Sequence, residues 1–154
     1  MADPERSALA TRVHEEMTAS LKAGDKVKLG ALRMLAAAIT NREKELGHAL
    51  TDDEVREVAG KEMKKRSESI EAFDAAGRVE LADKERAERE VVAVYAPEQL
   101  SEAEVDAIVD DAIASTGATS PKEMGKVMGV VMAGAKGRVD SSVVQAKMRA
   151  KFGA

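Results

Sequence analysis

The side chains best suited to chemistry in this sequence are the lysines and arginines near its C-terminal end. Residues 119–154 hold seven of them and only two acidic residues, Glu123 and Asp140. Positive charge concentrated on one surface can neutralise phosphates even when the protein as a whole is acidic. We therefore predict an RNA-binding surface formed by Lys122, Lys126, Lys136, Arg138, Lys147, Arg149 and Lys151.

A second, smaller basic cluster lies near the middle of the chain and consists of Lys61, Lys64, Lys65 and Arg66. Two acidic residues in the same stretch, Glu62 and Glu68, dilute its positive charge. Charged runs on helices usually form solvated faces. We interpret this cluster as such a face, with phosphate contact as the alternative.

Two glycines among the tail cations, Gly125 and Gly137, are predicted to allow tight turns or the close approach of a ligand. The segment Gly134-Ala-Lys-Gly137 is similar to the GXXG loop with which KH domains clamp a nucleic-acid backbone. A KH domain also needs a β-sheet, which this sequence does not predict. A turn between two helices is therefore the favoured interpretation.

Candidate catalytic and metal-binding groups are few. Glu45-Leu-Gly-His48 has the ExxH spacing of di-iron bundles, but the second ExxH and the further glutamates of such a site are missing. Cysteine is absent, and so are the phosphate-binding and nucleophile-elbow motifs. We predict no catalytic residue, no metal site and no cofactor, and we place His48 in an exposed loop.

The elements that position these residues are helices, since apolar residues recur at helical spacing and do not alternate as in strands. We predict an all-α protein of seven helices. The first has its apolar face at Leu9, Val13, Met17 and Leu21, and the second includes Leu46. The fourth, from about Val79 to Tyr95, has a solvated middle and a buried end that includes Val94.

Three sequence patterns predict helix starts, because a Ser or Thr followed by Glu three residues later forms a capping box. They begin at Thr51, Ser101 and Ser120, and Asp140 is a further predicted cap. Ala96-Pro97 interrupts the helical pattern, because proline disfavours helical geometry in the residue before it. We predict a four-helix domain over 1–96 and a three-helix tail domain over 97–154.

The composition narrows the classes of partner. Net charge is −4, yet residues 98–118 contain six acids and no base, so opposite charges are separated along the tail. Only three aromatic residues are present, so base-stacking platforms are not expected. The methionines of the sixth helix are expected to pack in a core rather than line a peptide groove. We expect a soluble, cytoplasmic protein with no membrane or DNA partner.

Several segments together resemble the GatB/YqeY family. In the tail they are Ser120-Pro-Lys-Glu-Met-Gly-Lys-Val-Met128, Gly137-Arg-Val-Asp140 and the helix from Val144 to Phe152. Earlier segments resemble the stand-alone YqeY type, namely Asp25 to Leu35, Thr51 to Glu54, Lys64 to Phe73 with Ala76 to Arg78, and Tyr95 to Glu102. The chain departs from the family pattern at Val139, where a small residue is common, and in the last helix, where Lys147, Arg149 and Lys151 replace a more mixed charge.

The resemblance implies a helical N-terminal domain and a tail shared with the B subunit of the glutamine-dependent aspartyl/glutamyl-tRNA amidotransferase. In that enzyme the tail helps to hold tRNA, while the chemistry resides in domains that are missing here. The leading hypothesis is an accessory tRNA-binding protein. One alternative is a helical adaptor that docks on an amidotransferase or an aminoacyl-tRNA synthetase. A third is carbon–nitrogen ligase activity with glutamine as amido-nitrogen donor, by family association only.

Overall fold

The computed structural model describes residues 6–153 of the chain. This range contains seven α-helices and no strand, which confirms the all-α class. The helices are α1 (Ala8–Ala23), α2 (Lys26–Leu46), α3 (Asp52–Ala75), α4 (Val79–Ala93), α5 (Glu102–Thr116), α6 (Met124–Ala135) and α7 (Ser141–Phe152). A single turn of 3-10 helix, Pro121–Glu123, precedes α6.

The chain divides into two compact units, one of which ends at Pro97 while the other begins at Glu98. Helices α1 to α4 belong to the N-terminal unit, and α5 to α7 belong to the C-terminal unit. The identification of these units with the domains of a particular family stays a prediction at this point.

Side-chain caps determine where several helices begin. Glu54 N–H donates to Thr51 Oγ1 and Thr51 N–H donates to Glu54 Oε1, both at 3.2 Å, which confirms the first capping box. The box at Ser101 and the cap at Asp140 are confirmed in the same way. The start at Ser120 differs, because a 3-10 turn comes first and α6 begins only at Met124. Such turns are common at helix N-termini.

The core of the N-terminal unit consists mainly of aliphatic side chains, with Tyr95 also among its buried members. Leu32, Leu35, Val13, Val55 and Val92 are fully buried in it. These side chains come from all four helices of the unit, so burial of their apolar surface ties α1 to α4 together.

Tyr95 closes the N-terminal unit after the last turn of α4. Its side chain is buried, and the Arg12 guanidinium lies 5.5 Å from the centre of its ring. Burial raises the pKa of the Tyr95 hydroxyl above its ordinary value. The single tyrosine therefore anchors the residues just before Pro97 to α1.

Three residues predicted to be buried are exposed: Leu21, Leu46 and Val94. On α1 the buried face follows Ala10, Val13 and Ser20. With 3.6 residues per turn, each step of four residues rotates a side chain by about 40°. The predicted run from Leu9 in steps of four drifts off the buried face, and Leu21 is 60 % exposed.

The centre of α4 is not fully solvated, because Glu88 is buried against a buried arginine. Arg66 of α3 is 3 % exposed, and its Nη1 donates to Glu62 Oε2 at 3.2 Å. Its Nε lies 3.7 Å from Glu88 Oε2, an ion-pair distance that links α3 to α4. Its Nη2 contacts the Met34 sulfur of α2 at 3.6 Å. Arg66 therefore joins three helices.

We expect Arg66→Ala to lower the free energy of unfolding by about 3–5 kcal/mol, because it leaves the buried Glu88 without its cation and removes one of the two cations beside Glu62. Urea unfolding followed by circular dichroism measures this difference. Arg33→Ala removes an exposed arginine from α2 and should change stability by less than about 0.5 kcal/mol. Equal losses in the two variants would contradict the assignment.

Candidate nucleic-acid interface

The helices that carry the tail cations pack around a core of their own. Val109, Val127, Val131, Val144 and Met148 are buried at the centre of α5, α6 and α7. The three methionines of α6, Met124, Met128 and Met132, are partly buried against this core. The prediction that the methionine stripe packs internally is confirmed.

Two of the seven predicted RNA-binding cations face the acidic helix α5. Lys147 Nζ lies 3.0 Å from Asp106 Oδ1 and 3.4 Å from Glu102 Oε1. Lys151 Nζ lies 2.5 Å from Asp110 Oδ1. The hydrogen bond from Lys147 to Asp106 raises the pKa of that lysine above its ordinary value. These two cations link α7 to α5 and are already neutralised.

The spacing of these charges repeats on both helices. Glu102, Asp106 and Asp110 follow one another at intervals of four residues on α5, as Lys147 and Lys151 do on α7. Residues four apart lie on one side of a helix. The sequence analysis counted these charges but missed their pairing, although the matched intervals were a signal that could have revealed it.

Arg138 and Gly137 hold the beginning of the C-terminal unit against the turn between α6 and α7. Arg138 Nε donates to the Glu98 carbonyl at 3.0 Å, and Leu100 N–H donates to the Arg138 carbonyl at 2.8 Å. Gln99 Nε2 donates to the Gly137 carbonyl at 2.9 Å. Gly137 has a φ of +79°, which suits glycine, so the predicted turn is confirmed there.

Lys126 also has a partner within its own unit. Its Nζ lies 3.4 Å from the carbonyl of Thr116, the last residue of α5. A cation is favourable at this position, because the C-terminal end of a helix carries partial negative charge. Lys126 remains exposed, so it combines this contact with access to solvent.

The remaining cations, Lys122, Lys136 and Arg149, are exposed, and no ion pair is found for them among residues 6–153. Lys122 lies on the 3-10 turn before α6, and Lys136 directly follows α6. Arg149 is two residues from both Lys147 and Lys151, about 200° around α7 from each. It therefore points away from α5. We call these three residues the unpaired cations.

Exposed glycines occur on two sides of α6: Gly125 and Gly129 are four residues apart on one side, whereas Gly134 lies about 140° further around the helix. Gly125, Gly129 and Gly134 are exposed, and a Cβ at any of them would meet no heavy atom within 4 Å. Gly125 is the second residue of α6, so the prediction of a turn there is wrong. Packing within the unit does not require glycine at these positions. Gly125 and Gly129 together leave one side of the first part of α6 without side chains at these two positions.

The second basic cluster is divided by burial. Arg66 is in the core and contributes no charge to the surface. Lys61 lies 3.7 Å from Glu57, and Lys65 lies 3.2 Å from Glu62. Lys64 is exposed. The surface part of the cluster is therefore three lysines, two of which have glutamate partners on the same helix.

Glu45 and His48 do not form a joint site. Glu45 pairs with Arg42 at 2.8 Å, whereas His48 is exposed beyond the helix end at Gly47, where its Nε2 lies 3.5 Å from Glu54 Oε2. The exposed-loop prediction for His48 is confirmed. In the part of the chain that the structure describes, no three His, Asp or Glu side chains are arranged to hold a metal ion.

Comparisons with known proteins agree on one family. The family model described as Yqey-like protein matches residues 10–152. The chain is also 32 % identical over 146 residues to a protein of Pyrenophora tritici-repentis called Altered inheritance of mitochondria protein 41, mitochondrial. That match covers 93 % of this chain and 80 % of the relative. Over residues 6–153, no helix is both long and apolar enough to cross a membrane.

We expect Gly129→Ala to raise the free energy of unfolding by about 0.5–1 kcal/mol, because alanine is the better helix former and the added methyl has open space. Thermal unfolding measures the change. Gly137→Ala is the matched control and should destabilise the protein, because its backbone is left-handed. A loss of stability in both variants would show that the α6 face is packed.

Glu123 gives an expected pH dependence. Its carboxylate accepts hydrogen bonds from the N–H groups of Thr119 and Ser120, and the bond from Thr119 is the main reason that its pKa is below the ordinary 4.5. A lowered folded-state pKa adds stability that is present above 4.5 and is lost as pH falls through the folded value. Glu123→Gln should therefore lose less stability on acidification than the parent. Identical acid profiles would contradict this.

Proposed function

Because the chain belongs to the Yqey-like protein family, we propose that it is an accessory tRNA-binding protein with no catalytic centre of its own. The observation that carries the proposal is the set of unpaired cations Lys122, Lys136 and Arg149 on the C-terminal unit. Arginine and lysine side chains without a protein carboxylate are available to exchange counterions with phosphates. The resemblance of the tail segments to the amidotransferase B subunit supports tRNA as the nucleic acid.

The arrangement of α6 and α7 supports a contact with an extended backbone. Only five residues, 136–140, join the two helices, so they are expected to run antiparallel as neighbours. Lys122 and Lys136 flank α6, whose twelve residues are roughly 18 Å long. Arg149 is near the end of α7, and α7 contacts the 3-10 turn that carries Lys122. The cations thus span a length that covers several nucleotides.

The small residues of α6 support the same surface. No acidic residue occurs within α6, and Glu123 is occupied by backbone N–H groups. Glycine in the middle of a helix costs about 0.5–1 kcal/mol relative to alanine. The side of α6 that carries Gly125 and Gly129 lets a sugar-phosphate backbone approach closely, which gives these two glycines a role that internal packing does not.

The roles of the other tail cations change with their contacts. Lys147 and Lys151 stabilise the packing of α7 on α5, and Arg138 holds the segment that follows Pro97. We propose that these three act by shaping the unit rather than by binding phosphates. Lys126 is exposed and also contacts the Thr116 carbonyl, so it can both stabilise the unit and bind phosphate.

The adaptor alternative is narrowed by the packing. The methionine stripe is part of the core, and the acidic residues Glu102, Asp106 and Asp110 are paired with α7. The adaptor alternative would be favoured if this protein still pulled down a synthetase or an amidotransferase after nuclease treatment. Carbon–nitrogen ligase activity rests on family association alone. A cytoplasmic location stays a proposal, and the relative's name carries the word mitochondrial for that protein.

A filter-binding titration against total tRNA at several salt concentrations tests the proposal. In the plot of log binding constant against log salt concentration, the slope is negative. Replacing Lys122, Lys136 and Arg149 with alanine should make it shallower by about 2–3, or roughly 0.7–0.9 for each lost phosphate contact. The affinity of this variant at low salt should fall accordingly.

The matched control removes three other exposed lysines, Lys22, Lys26 and Lys44, all in the N-terminal unit. It changes net charge by the same amount and should keep the parent's slope. Absence of tRNA binding at low salt, or equal slopes for the two triple variants, would overturn the proposal.

A further inference from the structure

The side-chain amide of Gln145 lies next to Arg149, one of the three unpaired cations, on the surface of α7. The two residues are four apart, a spacing that brings the Cβ atoms of helical residues to about 5–6 Å from one another. Gln145 is exposed, and no hydrogen bond of its side chain is found among residues 6–153. An amide both donates and accepts hydrogen bonds. The surface of α7 therefore offers a neutral donor and acceptor beside a positive charge.

Gln145 and Arg149 lie on the flank of α7 that is turned away from α5. Measured around the helix from the buried Val144, the paired Lys147 and Lys151 lie about 60° and 20° to one side. Gln145 and Arg149 lie about 100° and 140° to the other side. Helix α7 also contacts α6 and the 3-10 turn before it. The flank opposite α5 is therefore the one nearer to α6 and to that turn.

The acidic residues beside α6 and α7 are engaged in helix caps. Neither helix contains an acidic residue of its own. Asp140 accepts hydrogen bonds from the N–H and the hydroxyl of Ser142. Glu123 accepts hydrogen bonds from the N–H groups of Thr119 and Ser120. The flank that carries Arg149 therefore keeps its positive charge, and an RNA backbone beside it meets no carboxylate from either helix.

The three aromatic side chains of the chain are buried or partly buried. Tyr95 is 1 % exposed, Phe152 packs against the core of the C-terminal unit, and Phe73 is partly buried on α3. Single-stranded RNA is typically bound by stacking its splayed bases on exposed aromatic side chains. The chain has no such platform to offer, so phosphates and riboses are the parts of an RNA that it is suited to bind.

We propose that the surface formed by α6 and α7 binds double-helical RNA, with the unpaired cations on phosphates and the Gln145 amide on a neighbouring ribose 2′-hydroxyl. This inference rests on the proposed tRNA binding and specifies which part of the RNA is bound. A duplex holds its phosphates in fixed positions, whereas a flexible strand must be ordered first, and the ordering costs binding free energy. Lys122 and Lys136, which are held at the two ends of one helix, therefore match a duplex better than a single strand.

Gln145 gives this surface a means of distinguishing RNA from DNA. The 2′-hydroxyl is both a donor and an acceptor, as the amide is, and DNA lacks it. In the A-form double helix these hydroxyls are displayed along a wide, shallow groove. A side chain one helical turn from Arg149 can reach a hydroxyl while the guanidinium pairs with a phosphate. On a DNA duplex the phosphate contacts remain and the contact of Gln145 is lost.

Filter binding with short probes tests the proposal on the full chain at one low salt concentration. The probes are an RNA duplex of about 16 base pairs, which is the length that a double-stranded-RNA-binding domain spans, the DNA duplex of the same sequence, and each RNA strand alone. The RNA duplex should bind roughly 3–10-fold more tightly than the DNA duplex, which is the effect of one hydrogen bond. It should also bind more tightly than either single strand.

The variant Gln145→Ala separates recognition of the 2′-hydroxyl from a structural role. It should weaken binding of the RNA duplex roughly 3–10-fold and leave binding of the DNA duplex unchanged, so that the preference for RNA disappears. The matched control, Asn41→Ala, removes an exposed amide from α2 and should keep the parent's preference. Both changes introduce the best helix former at an exposed position, and a thermal melt verifies that both variants fold.

Three results would contradict this inference while tRNA binding itself stands. They are a single strand bound as tightly as the RNA duplex, a DNA duplex bound as tightly as the RNA duplex, and a Gln145→Ala variant that keeps the parent's preference for RNA. If the parent binds no tRNA at low salt, the proposed function fails, and this inference fails with it.

Discussion

The buried guanidinium of Arg66 is the interaction on which the N-terminal unit depends. It binds Glu62 within α3, reaches Glu88 of α4 and touches Met34 of α2. Removing such charges from water costs several kcal/mol per ion, and the mutual attraction repays this only when the geometry is maintained. The helices are therefore restricted to an arrangement that keeps the cation surrounded.

Local features of the fold were predictable, because they depend on residues close together in sequence. The caps at Thr51, Ser101 and Asp140 and the turn at Gly137 each need only a few neighbouring side chains or a backbone angle. Burial was harder to predict. Arg66 and Glu88 are charged residues whose partners are supplied by tertiary packing, so helical periodicity assigns them to the surface.

The candidate site shows the same division. The sequence located the seven tail cations and the acidic segment before them, but composition counts charges without pairing them. Packing of α7 against α5 commits Lys147 and Lys151 to carboxylates, while the rotation of about 200° leaves Arg149 outside. Lys122 and Lys136 lie at the two ends of a helix that contains no acidic residue, and no ion-pair partner is found for them among residues 6–153. Contacts in the folded unit thus leave only some of the seven tail cations available to an outside ligand.

The contacts of residues 98–100 with Gly137 and Arg138 have a consequence for modularity. The first residues of the C-terminal unit are bound to its own α6–α7 turn through two backbone carbonyls and an arginine side chain. The polypeptide that enters the unit is thereby held by contacts within the unit itself. A domain that anchors its own entry can be joined to different upstream sequences while its helices keep their arrangement.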